Sequence, residues 1–102
     1  MRTTVVVHES AAESLEAWMV RVANARGGNP AVADLFLAEL QAELIRRGGE
    51  PDGVRRQPDG RITWNFNADT RIHYVIKDRP PSLFRGGARR VVIFEFAEMP
   101  GA

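Results

Sequence analysis

The segment Gly27-Gly28-Asn29-Pro30 restricts the fold of this chain more than any other feature, because it ends one helix and starts another with nothing between them. Upstream, Leu15, Trp18, Met19, Val22 and Ala25 recur at helical spacing, and the glycine pair supplies the stop. Ser10 followed by Glu13 has the spacing of a capping box, which places the start of this helix at Ser10. Downstream, Asn29 reads as an N-cap and Pro30 as the first helical residue, where its missing N–H costs nothing. Ala33, Phe36, Leu37, Leu40 and Leu44 then form the second apolar stripe, which closes on Arg46, Arg47 and Gly48-Gly49. Two helices with so short a linker lie antiparallel. Each has a single apolar stripe, so the hairpin needs another layer to cover it.

Strand patterns supply that layer. Thr3 to Val7 is a β-branched run within the segment from Met1 to His8. In Arg61 to Phe66, Ile62, Trp64 and Phe66 alternate with Arg61, Thr63 and Asn65. A turn at Asn67-Ala68-Asp69-Thr70 leads to Arg71 to Lys77, where Ile72, Tyr74 and Ile76 alternate with Arg71, His73, Val75 and Lys77. Arg90 to Ala97 reads as the last strand, with Val92, Phe94 and Phe96 on one side. The stretches from Glu50 to Gly60 and from Asp78 to Arg89 carry proline and glycine and read as loops. The expectation is an α+β fold, β-α-α-β-β-β, with a two-helix hairpin on one face of a small, mainly antiparallel four-stranded sheet. Its core should contain Trp18, Phe36, Leu40, Trp64, Phe66, Tyr74, Phe94 and Phe96, so Trp64 and Phe94 should share a face.

Composition narrows the chemistry. A chain of 102 residues, 44% hydrophobic and 26% charged, suits one small globular domain spanning residues 1–102. There is no cysteine and there are two histidines, which removes thiolate nucleophiles and leaves no credible metal-ligand spacing; no metal and no cofactor is expected. The Gly-Gly pairs match no phosphate-cradling loop, and the serines lack a nucleophile-elbow context. No apolar run approaches the ~20 residues that cross a bilayer, and no leader pattern opens the chain, so no membrane partner and a cytoplasmic location are expected. The net charge is only +1, yet of fourteen Lys and Arg residues only Lys77 is lysine. Arginine binds phosphate bidentately and stacks on bases.

With the hairpin covering the aromatic face, alternation leaves Thr63, Asn65, Arg71, His73, Lys77 and Glu95 on the other, with Val75, Val91 and Ile93 between them. On structural grounds alone, Glu95 is equally suited to a cross-strand salt bridge with Arg71 or Lys77. The element order, together with "TRIHYVIKD" and "RRVVIFEFAEM", is similar to the RelE/ParE toxin superfamily of bacterial toxin–antitoxin systems. Arg71-Ile72-His73-Tyr74 resembles the family's tyrosine-arginine-isoleucine-x-tyrosine strand, with Thr70 in place of the first tyrosine.

The resemblance implies a toxin held inactive by a cognate antitoxin. Members like RelE cleave messenger RNA on the ribosome, whereas members like ParE poison DNA gyrase without being nucleases. A third outcome is an inactive interaction module derived from such a toxin. A metal-free ribonuclease needs a base for the 2′-hydroxyl, a cation for the phosphorane and an acid for the leaving oxygen. Arg71 takes the cation's place by the motif, and His73 and Glu95 are chemically suitable neighbours. Lys77, Arg85, Arg89 and Arg90 are expected to extend this surface for nucleic-acid binding. Many ribosome-dependent members carry a tyrosine or histidine after the last strand; Glu98 to Ala102 have neither.

Overall fold

A computed structural model describes residues 2–98, so the tail residues 99–102 lie outside the described part. The elements are β1 (Arg2–Val7), a single 3₁₀ turn (Glu9–Ala11), α1 (Ala12–Ala25), α2 (Pro30–Arg46), β2 (Arg55–Arg56), β3 (Ile62–Asn67), β4 (Thr70–Arg79) and β5 (Ala88–Ala97). The strands form one sheet in the order β1-β5-β4-β3-β2. β1 runs parallel to β5, and every other pair is antiparallel. The α+β class and the helical hairpin match expectation, but the sheet is five-stranded and mixed. The added strand, β2, lies within the segment expected to be a loop and has only two residues, too few for any periodicity to show.

Both helix stripes bury as their spacing dictates. Trp18 and Val22 of α1 and Ala33, Leu40 and Leu44 of α2 pack with Ile62, Trp64, Ile72, Tyr74, Val91, Ile93 and Phe96 of the sheet. Phe36 and Phe66 are partly buried against this cluster. Ala25 is exposed. The start of α1 differs from the predicted capping box: Ser10 instead lies in the 3₁₀ turn, where its hydroxyl pairs with Nδ1 of His8, 2.9 Å away, and α1 begins at Ala12. Ser14 does the joining, donating to Ala11 O at 3.0 Å and accepting from the Phe96 N–H at 3.0 Å, which ties α1 to β5.

Two buried polar contacts fix how the layers sit. The Trp18 indole donates to Thr70 Oγ1 at 2.9 Å, and the Tyr74 hydroxyl donates to Gly49 O at 2.7 Å. Gly49 follows α2 with φ +81°, and a Cβ there would lie 2.8 Å from Val91 Cγ2. Only glycine permits both that backbone conformation and that approach.

The phase of β5 is the main correction. Its register with β4 slips after His73, which pairs with Glu95, while the next residue, Tyr74, pairs with Ile93. Phe94 is the extra residue of a β-bulge, and both Phe94 and Glu95 point away from the helices. Trp64 and Phe94 therefore occupy opposite faces. Val91 and Ile93, expected on the polar face, are in the core, where each is fully buried.

Candidate functional site

The bulge and the strand registers assemble one row of side chains across the exposed face. Arg55 of β2 pairs with Thr63 of β3, Thr63 with His73 of β4, and His73 with Glu95 of β5. The neighbouring row contains Asn65 and Arg71. Arg71, His73 and Glu95 are thus brought together on one face. Glu95 is the only carboxylate among the strand residues that face this way.

His73 sits among Thr63, Phe94 and Glu95. Its Nδ1 lies 2.8 Å from Thr63 Oγ1, and its ring stacks on Phe94 with centroids 6.2 Å apart and planes inclined by 23°. Nε2 lies 3.6 Å from Glu95 Oε1, within ion-pair range yet too long for a hydrogen bond. The threonine oxygen has two roles open to it: it accepts from Nδ1–H, which leaves the lone pair on Nε2, or it donates to Nδ1, which puts the ring proton on Nε2 toward Glu95. Glu95 bridges neither Arg71 nor Lys77; its partner is the histidine.

Arg71 is half-buried and donates from Nε to Asn65 Oδ1 at 2.9 Å. Its terminal nitrogens make no ion pair among the described residues and are free for a phosphate. On the β2 side of His73, a depression of about 370 Å³ is lined by Arg55, Arg56, Thr63, Asn65, Arg71 and His73, and of its three arginines Arg56 is already paired with Glu50. A dianionic or singly charged phosphoryl group seated there meets two arginines without an ion pair among the described residues, Arg55 and Arg71, and an imidazole, and the Glu95 carboxylate lies on the far side of the ring. Among the described residues, no three His, Asp or Glu side chains converge as metal ligands would.

The remaining candidate cations separate. Lys77 pairs with Arg90 on the same face, one row beyond Val75 and Val92. Arg85 is exposed in the β4–β5 connection. Arg89 is on the helix side: it grips Asp78 through Nε and Nη2 at 2.7 and 2.9 Å, donates to Gly48 O at 2.9 Å, and reaches Glu50 at 3.2 Å. These bonds hold the Asp78 carboxyl below its ordinary range and push the Arg89 guanidinium up, hydrogen bonding being the main cause in both. Arg89 is consequently a brace between the end of α2 and the sheet and lies outside the surface expected of it.

Two residues of this face escaped the sequence reading. Arg55 sits on a strand too short to have a pattern. Phe94 belongs to the run Val91-Val92-Ile93-Phe94, and four consecutive apolar residues in an otherwise alternating strand are the available sign of a bulge. No helix of the described residues is long and apolar enough to cross a membrane. Comparison with protein-family models, with curated proteins and with solved structures returns no match for this chain.

Proposed function

We propose that the open sheet face binds single-stranded RNA and cleaves it without a metal, as the toxin of a toxin–antitoxin pair resembling RelE and acting on messenger RNA at the ribosome. The observation that carries this reading is the His73 ring, which lines the arginine-bearing depression on one side and faces Glu95 through Nε2 on the other. With the scissile phosphate in the depression and the ring proton on Nδ1, donated to Thr63 Oγ1, the Nε2 lone pair takes the proton of the adjacent 2′-hydroxyl, and that oxygen attacks phosphorus. The bond to the 5′-oxygen breaks, leaving a 2′,3′-cyclic phosphate, and the imidazolium returns its proton to the departing oxygen. Arg71, with Arg55 beside it, faces the charge that builds on the phosphorane, and Glu95 faces the charge on the ring.

Expression without a partner protein tests the reading. Growth arrest with cleaved messenger RNA, lost in His73→Ala, supports it. Arrest with DNA damage that His73→Ala leaves unchanged favours a gyrase-directed binder like ParE, and absence of arrest favours an inactive interaction module. In an active protein Arg71→Ala removes most of the toxicity, since losing a group that stabilises the transition state costs ~100-fold or more.

A further inference from the structure

Leu83 and Phe84 are each 90% exposed, the most exposed large apolar side chains of the described residues. They are adjacent, and they sit at the two corners of a closed turn: the Ser82 N–H donates to Arg85 O at 2.7 Å and the Arg85 N–H to Ser82 O at 3.4 Å. Pro80-Pro81 stiffens the approach to this turn. The turn caps the end of β4 and β5 that extends beyond β3, since β3 pairs with β4 only as far as Tyr74. An exposed aromatic side chain at this end of β4 and β5 is open to a ligand that runs along the sheet.

Charge identifies the class of that ligand. Between Arg71 and Phe94 the only acid is Asp78, and Arg89 neutralises it on the other face. Lys77, Arg79, Arg85 and Arg90 make no ion pair among the described residues, and Lys77, Arg79 and Arg90 lie on the strand face that carries Arg71 and His73. From His73 to Arg79 the strand covers about 20 Å. A track of unpaired cations ending in an exposed phenyl ring is the arrangement that binds single-stranded nucleic acid, with phosphates on the cations and a base stacked on the ring. A bilayer would need cations ringed around the apolar tip. Here most run back along the sheet, toward the depression.

We infer that Phe84, supported by Leu83, stacks on a base of single-stranded RNA that flanks the segment held over His73. This rests on the RNA-cleavage reading and adds to it a second contact point and a minimum substrate length.

The test compares uncleavable 2′-O-methyl oligoribonucleotides of about 4 and about 12 nucleotides, lengths that bracket one and both contacts. Phe84→Ala and Phe84→Leu should weaken binding of the long oligonucleotide about tenfold and leave the short one unchanged, while Phe84→Trp retains it. Unchanged thermal unfolding will show that the variants are folded. Equal affinity of parent and Phe84→Ala for the long oligonucleotide overturns the inference, as does full affinity in Phe84→Leu, which keeps an apolar tip without a ring. Loss of binding to phosphatidylserine vesicles in Phe84→Ala at unchanged RNA affinity overturns it in favour of a membrane contact. Length-dependent binding through Phe84 to an RNA that the protein never cuts refutes the cleavage reading alone. Absence of binding at either length refutes both.

Discussion

Thr63 Oγ1 and His73 Nδ1 lie 2.8 Å apart on adjacent strands, which fixes the imidazole plane and leaves Nε2 as the nitrogen open to a ligand. Thr63→Val keeps the shape of the side chain and removes that contact. RNA cleavage by this variant should fall about tenfold, against ~100-fold or more for His73→Ala, and Thr63→Ser should restore it. Initial rates on a labelled oligoribonucleotide measure this, and a Thr63→Val protein as active as the parent would deny the threonine a positioning role.

Arg89 and Arg90 are consecutive but should behave in opposite ways. Arg89→Ala removes the ties to Asp78, Gly48 and Glu50, so its thermal midpoint should drop by a few degrees while the salt dependence of RNA binding stays as it was. Arg90→Ala should leave the midpoint alone and lower the slope of log affinity against log salt by about 0.7, the share of one phosphate contact on a single strand.

Tyr74 is the only tyrosine, so its titration can be followed by tyrosinate absorbance without interference. Burial pushes its phenol up from 10.0 to about 12. A group whose folded-state value lies above its unfolded one stabilises the fold fully below the lower value, and that contribution disappears as pH rises through the higher. The protein should therefore lose stability between pH 10 and about 12, with an absorbance midpoint near the upper end of that window. Tyr74→Phe should flatten this alkaline loss in denaturation experiments, and an absorbance midpoint at 10 would contradict the buried bond to Gly49.

Thr70 is fully buried and accepts from the Trp18 indole. Thr70→Val leaves that N–H without a partner in the core, which should cost ~1–3 kcal/mol in urea unfolding, whereas Thr70→Ser should cost less. Equal stability of the valine variant and the parent would mean that the indole finds another acceptor.

Where the sequence was legible, a repeat of adequate length made it so. The helical hairpin shows itself through caps and two stripes of five residues, and β3 and β4 through strict alternation, which also places Arg71 and His73 on one face. Alternation cannot reveal which strand pairs with which, and so the parallel seat of β1 beside β5 was invisible. In β5 the bulge resets the phase. Counting by twos from Glu95 reaches Arg89 and leaves Arg90 behind, while the slip at Phe94 turns Arg89 toward the helices and Arg90 toward the candidate site. Glu95 was placed correctly because it lies on the Phe96 side of the slip, where the count from the core aromatic still holds.

Removing Phe94 in thought leaves Val91, Ile93 and Phe96 pointing inward and Val92, Glu95 and Ala97 outward, an unbroken alternating strand. The folded core therefore has no need of Phe94. A single inserted residue has given the outer face an aromatic surface without withdrawing any side chain from the interior. Folding and ligand contact are in this way written on separate positions of the same strand, so that either can change without disturbing the other.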